Sequence, residues 1–278
     1  MKSYTSTAFY FIAHADDWQL FMAPEISLDI ADDNCKVIIV HTTAGDAGKD
    51  QQYWRAREIA SIESLRFRIS ATGGQHTHNE ETKLITDRAY AYVYSINNCV
   101  MYFLRLPDGN YDGSGFPTYD HQGLGRFNQG QHDTIISVDG QSVYGNWNEL
   151  TAAIDTIIEK ELPPGVESVS INLPETDTDR NFRTHNDHYY TGLLIQSTNA
   201  FHLYQSRAFI DYSLIHRKSD LDGEELFWKI GMFTAYHQSM CHNTQHSTIA
   251  EDPNFIPWCF RNSSWRYITA TASDKLTA

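Results

Sequence analysis

The chain has 278 residues, 41% of them hydrophobic and 20% charged, which is enough apolar material for one substantial core and too evenly mixed for disorder. A formal net charge of −14 repels polyanions, so no nucleic-acid partner is expected, and no apolar run approaches the length that spans a bilayer. Cysteines 35, 99, 241 and 259 follow no short metal-binding spacing and read as ordinary buried or half-buried thiols; the first 14 residues read as a strand and not a signal peptide, so the default address is the cytoplasm.

Residues 8–13 (AFYFIA) form a continuous apolar run that stops at His14, Ala15, Asp16 and Asp17, the pattern of a buried parallel strand delivering its carboxyl end to a site. Trp18 to Ala31 has a mostly helical pattern interrupted by Pro24. Lys36 to His41 is a second buried strand, and its exit, TTAGDAGK, is a polar, glycine-bearing loop. Asp50 to Ser70 has helical periodicity and completes a βαβα start. Such a start predicts an α/β fold, a Rossmann-like, doubly wound, mostly parallel sheet with helices on both faces.

Lys83 to Leu106 alternates in two runs separated by Asn97 and Asn98, as a strand pair does. Pro107 to Gly145 is rich in Gly, Asp, Asn and Gln; a loop this long is usually functional, and position alone puts Tyr111, Tyr119 and His121 at the border of a pocket. Trp147 to Glu161 is an amphipathic helix, and Val166 to Leu173 is a strand whose exit leads to Arg183 through His188. A helix near Tyr189, a strand over Ala208 to Ile215 and a helix over Glu224 to Met240 follow, and the tail after Ile268 is expected to fray. With no repeat or linker, residues 1–278 are expected to be a single domain, its core about 7–218 with a C-terminal extension.

Two neighbouring carboxylates beside an imidazole at a strand end are expensive to desolvate unless a positive charge sits among them, and a divalent cation meets that demand. The second such cluster is His185, Asn186, Asp187, His188, where a helical course would turn His185 and His188 the same way. Ligands of open α/β sheets bind beyond the carboxyl ends of the strands, which brings the clusters together. His14, Asp17 and His188 then form a three-ligand site with open positions, the arrangement of a catalytic metal.

The order strand-HADD, T-A-G-D-A-G, R-x-x-E in a helix, then H-N-D-H resembles the PIG-L or LmbE-like de-N-acetylase family, whose members show AHPDD-E, G-[DE]-x-G, R-x-x-E and H-P-D-H. The departures are Ala15 and Asn186 at the two prolines and Trp18 where an acidic residue is common, and they bear on substrate shape. The resemblance implies His14, Asp17 and His188 as ligands of zinc, with Fe2+ or another divalent metal as the alternative. It also implies Asp16 as general base, His185 as oxyanion stabiliser and helper of amine departure, and Asp187 as the residue that orients an imidazole. Arg55 would reach the substrate, with Glu58 as its structural companion.

The implied reaction is hydrolysis of the N-acetyl group of an N-acetylglucosamine-type sugar or glycoconjugate by zinc-activated water. Other amide hydrolysis, a hydratase or lyase reaction on a small carboxylate, a metal-binding module without turnover, and a metal-free glycosidase with paired carboxylates are the alternatives. His41 reads as a packed histidine. Residues 45–48 (GDAG) read as a tight turn, lacking the G-x-G-x-x-G of a dinucleotide site. His76, His78, His237, His242 and His246 read as surface residues.

Overall fold

The two apolar runs that open the chain pack on both sides. In β1 (Ser6–Ile12), Phe9 and Phe11 enter one core while Ala8, Tyr10 and Ile12 enter another; in β2 (Cys35–Thr43), Ile38 and Val40 join the first and Val37 and Ile39 the second. This period of two on a doubly buried strand is what a parallel sheet covered by helices requires. The computed structural model describes residues 3–71, 73 and 76–270.

Further strands are β3 (His78–Thr86), β4 (Ala89–Ile96), β5 (Cys99–Leu106), β6 (Ile135–Ile136), β7 (Val143–Tyr144), β8 (Ser168–Pro174), β9 (Gln205–Phe209) and β10 (Trp265–Ile268). The helices are α1 (Asp17–Phe21), α2 (Glu25–Ala31), α3 (Gln51–Ser70), α4 (Leu124–Asn128), α5 (Trp147–Glu161), α6 (Asn186–Gln196), α7 (Asn199–Leu203), α8 (Gly223–Thr244), α9 (Thr248–Glu251) and α10 (Phe255–Cys259). The main sheet has eight strands in the order β10-β9-β8-β1-β2-β5-β4-β3. β9, β8, β1, β2 and β5 run parallel, and β10, β4 and β3 pair antiparallel at the edges. The expected α/β class, mostly parallel with helices on both faces, is the observed one.

Helices α5 and α6 cover one face through Leu150, Ile154, Ile157, Leu194 and Ile195, and α2 and α3 cover the other through Ile26, Ile30, Ile62, Leu65 and Ile69. Each such side chain, fully buried, stabilises by roughly 1.5–3 kcal/mol before entropy is counted. A third apolar cluster joins Ala15, Leu20 and Phe21 to Phe233, Tyr236, Met240 and Trp258, fastening the C-terminal helices beside the end of β1.

Local chemistry sets the boundaries. Pro24 splits the first helical stretch and stands at the N-cap of α2. Asp50 caps α3 by accepting from the Tyr53 backbone N–H, and Asn146 caps α5 by accepting from Glu149, whose carboxylate returns to the Gly145 N–H at 2.8 Å.

Several expectations are corrected. The strand pair over 83–106 is three strands, because β3 begins at His78 and pairs with β4 although its outward residues are polar. β9 ends at Phe209, short of the expected Ile215, and gives way to a 3-10 turn over Tyr212–His216. The long loop after Pro107 contains α4 and the small β6–β7 pair. The tail after residue 270 lies outside the described residues.

Candidate metal centre

β1 and β2 run side by side while β8 flanks β1 on its other side, so the chain reverses its direction of winding at β1. A crevice opens at such a reversal beyond the strand ends. The exits of all five parallel strands supply groups there: His14, Asp16 and Asp17 after β1, the Gly45 carbonyl and Asp46 after β2, Asp108 after β5, His185 to His188 after β8, and Asp211 after β9.

His14 Nδ1 lies 3.1 Å from His188 Nε2, which lies 3.1 Å from Asp17 Oδ1; His14 Nδ1 and Asp17 Oδ1 are 3.8 Å apart. The other oxygen of Asp17 accepts the backbone N–H groups of Ala13 at 3.1 Å and His14 at 2.7 Å, so the carboxylate is held with Oδ1 toward the imidazoles. Ligands about 2.0–2.2 Å from a tetrahedral zinc stand roughly 3.3–3.5 Å from one another, close to these spacings. Two ring nitrogens at contact distance with a carboxylate oxygen are held together by protons or by a shared cation. The titration of the group says the same: burial alone would push His14 down, but Asp17 outweighs it and holds His14 up at about 9. His188 is likewise held up against burial, by Asp17 and Asp211, and Asp17 is held down against burial by His188 and His14. A divalent ion fits this donor set, replacing the protons.

Each imidazole is backed by a carboxylate. His14 Nε2 faces Asp187 Oδ2 at 3.3 Å, and Asp187 accepts from the Gly109 N–H at 3.0 Å. His188 Nδ1 faces Asp211 Oδ2 at 3.2 Å, although its in-plane N–H direction finds no acceptor, so this is a charge contact and not a formed hydrogen bond. Asp211 in turn accepts from Asn181 and Thr184 at 2.7 and 2.8 Å. Backing of this kind fixes ring orientation in metal sites. Gly109 permits the close approach, since a Cβ there would meet Asp187 Oδ1 at 2.6 Å.

His185 stands at the N-cap of α6 and not inside a helix with His188. Its Nδ1 accepts from the Asp187 N–H at 3.1 Å, which leaves the proton on Nε2. Burial, with His14 and His188 nearby, holds His185 well below its ordinary value, so the ring is a neutral donor. Nε2 is 3.9 Å from Asp108 Oδ1, beyond a hydrogen bond.

A cavity of about 210 Å³ opens over the group, lined among others by His14, Asp16, Asp17, Arg57, Asp108 and His185. Arg57 Nη2 donates to Asp16 Oδ1 at 2.5 Å, Nη1 to the Gly45 carbonyl at 3.0 Å and Nε to the Tyr236 hydroxyl at 3.1 Å. Gly45 has φ +55°, and a Cβ there would press on the guanidinium at 2.9 Å.

Arg55 is not among the cavity residues. It is exposed on α3, over Trp54 and Tyr92, because two positions along a helix turn a side chain about 200° away from Arg57. Nor is Glu58 its companion; that carboxylate takes Arg105 at 2.7 and 2.9 Å. Trp18 is turned into the core with Nε1 on Ser61 Oγ at 2.9 Å, so it does not shape the cavity. Tyr111 packs edge-on against His185 at 5.9 Å, whereas Tyr119 and His121 hydrogen-bond to the Lys49 and Ser114 carbonyls away from it. His41 is packed, facing the Tyr102 carbonyl and Ser61, and burial pushes it down to about 3. Among the described residues, none of the four cysteines is in a disulfide.

A mostly parallel α/β sheet with a buried His/Asp cluster at its winding reversal defines a metal-binding protein of the kind that does its chemistry beyond the strand ends. The chain belongs to the PIG-L family, GlcNAc-PI de-N-acetylase, whose family profile matches residues 9–198. Two solved structures share the fold. A teicoplanin deacetylase, Orf2, in its zinc-inhibited form, has a TM-score of 0.51 at 12% identity, over 96% of this chain and 100% of that one. The N,N'-diacetylchitobiose deacetylase of Pyrococcus horikoshii, complexed with its inhibitor MPG, has a TM-score of 0.50 at 14% identity, over 95% of this chain and 84% of that one. No curated protein matches the chain. Among the described residues, no helix is long and apolar enough to cross a membrane.

Proposed function

We propose that the protein is a zinc-dependent N-deacetylase that removes the acetyl group from an N-acetylglucosamine-type sugar or glycoconjugate. The observation that carries this is the convergence of His14 Nδ1, Asp17 Oδ1 and His188 Nε2 beneath a cavity that also holds Asp16 and His185. The family, and fold neighbours that are a teicoplanin deacetylase and an N,N'-diacetylchitobiose deacetylase, support the reading.

Bound by these three side chains, a metal would supply a water whose pKa falls toward about 7 and a Lewis acid for the acyl oxygen. The protein supplies the rest. Arg57 holds one oxygen of Asp16, leaving the other to accept the proton of the attacking water. His185, kept neutral with its Nε2–H free, donates to the oxygen on which charge develops, a contribution of about 10²–10³ in rate for such donors. Asp187 and Asp211 keep the two metal-facing imidazoles oriented. Arg57, and not Arg55, is the arginine placed to meet a substrate.

Acetate release from N-acetylglucosamine and simple N-acetyl glycosides, measured before and after chelation and on adding back zinc or Fe2+, tests the proposal. Release that is lost on chelation and restored by zinc is expected. Acetate release that survives chelation would overturn it, and glycoside cleavage without acetate release would support the metal-free glycosidase chemistry instead.

A further inference from the structure

Six residues lining the catalytic cavity come from beyond residue 198, where the family match ends: Tyr212, Tyr236, Thr248, Glu251, Phe255 and Trp258. They belong to no detached flap. Tyr236 and Trp258 share an apolar cluster with Ala15, Leu20 and Phe21, residues interleaved with the metal donors, and Tyr236 accepts from Arg57.

The rings make a continuous wall. Tyr212 stacks on Trp258 with centroids 5.0 Å apart and planes 22° apart, Trp258 meets Phe21 and Phe255 edge-on at 5.2 and 5.7 Å, and Tyr212 meets His188 edge-on at 5.2 Å. The same cavity carries Asp16, Arg57, Asp108 and Glu251. An alkyl tunnel would be apolar throughout, whereas flat aromatic faces mixed with charged hydrogen-bonding groups suit a ring that is apolar on its faces and hydroxylated at its edge. The volume, about 210 Å³, falls below the roughly 300–1,000 Å³ of sites for drug-sized ligands, so it admits one ring and a short acyl group.

We infer that the segment after residue 198 is the specificity element: Phe255, backed by the buried Trp258, forms the apolar face for a single pyranose ring bearing the acetamido group, and the enclosure excludes N-acyl chains much longer than acetyl. This rests on the deacetylase reading above.

The test uses metal-loaded wild type and its Phe255→Ala and Trp258→Leu variants with N-acetylglucosamine and N-hexanoylglucosamine as probes. Wild type is expected to favour the acetyl compound by at least about 100-fold in kcat/KM. Each variant is expected to raise KM for it about tenfold with kcat within about threefold, and to narrow the acetyl-to-hexanoyl ratio about tenfold. Metal content and melting temperature are checked for each. Phe255 is only partly buried, so its variant carries the test if Trp258→Leu fails to fold. Unchanged KM and ratio in folded Phe255→Ala overturn the inference, as does a wild type that prefers the hexanoyl compound, which would make the cavity an acyl tunnel. If wild type releases no acid from either probe, the deacetylase reading fails separately. The wall is then judged by calorimetric binding of N-acetylglucosamine: binding weakened about tenfold by Phe255→Ala supports it, and equal or absent binding overturns it.

Discussion

Two groups of buried side chains share His14 and use their atoms differently. In His14, Asp17 and His188, the backbone engages only the far oxygen of Asp17, and the remaining donors turn toward one another. In His14, Asp108, His185 and Asp187, the backbone has already claimed most of the acceptors: Asp187 takes the Gly109 N–H, Asp108 takes those of Asn110 and Ala47, and His185 Nδ1 takes that of Asp187. Similar residue types within a few ångströms thus offer a candidate ligand set in one place and a hydrogen-bonded scaffold in the other. Main-chain amides decide which.

The sharpest way to break this contrast is to remove one member from each group. Asp17→Ala is expected to lose the metal and at least about 10⁴-fold in kcat, while Asp108→Asn keeps one metal per chain by elemental analysis. An Asp108→Asn protein without metal would make the second group the ligand set. Asp16→Asn, adjacent to a ligand but outside both groups, is expected to keep its metal and lose about 10²–10³ in kcat; loss of metal instead would exchange the roles of Asp16 and Asp17.

Asp187→Asn probes the scaffold directly. Because Asp187 backs His14 without belonging to the ligand set, metal affinity measured by chelator competition is expected to fall about 10–100-fold and not to vanish. On α3, Arg57→Ala is expected to raise KM about tenfold, and Arg55→Ala to leave it within about twofold. Equal effects would mean that facing the cavity does not matter.

A buried charge that belongs to neither group sets the lower end of the scale. Lys229 is fully buried, its ammonium donates to the Arg261 carbonyl at 2.6 Å, and burial pushes it down to about 8 from 10.5. Below that value its ammonium is carried in both the folded and the unfolded chain and the full desolvation cost stands. As pH rises from 8 toward 10.5 the unfolded chain binds more protons, so stability increases. Lys229→Met is therefore expected to raise stability by about 1–2 kcal/mol at pH 7, after loss of the hydrogen bond to Arg261, with the gain shrinking above pH 8 and activity unchanged. Denaturant melts at two pH values check it.

The scaffold and the ligand set were not equally legible in the sequence. Continuous apolar runs that stop at polar clusters marked β1 and β2, a mixed stretch leading to the second polar cluster marked β8, and the order of the short motifs marked His14, Asp17 and His188 as the candidate ligands. α5 spans the residues its periodicity gave, Trp147–Glu161. Asp108 and Asp211 carry no such signal: one lies in an aperiodic Gly- and Asp-rich loop, and the other is a single acid after a strand of five residues. The choice between Arg55 and Arg57 needs to know which face of α3 meets the strand ends. A hint existed in the spacing of Tyr53, Arg57 and Ser61, each four apart in helical register with cavity and core. The aromatic wall was out of reach because its residues meet the centre only through long-range packing.

The Arg57 guanidinium grips the exit of β1, the exit of β2 and a phenol of α8 at once. A graft that swaps the C-terminal helices for those of a relative would succeed only if the incoming segment offers residue 57 an equivalent acceptor. Without one, the cation would swing free, and the carboxylate it steadies would lose its aim even though every metal donor stayed in place.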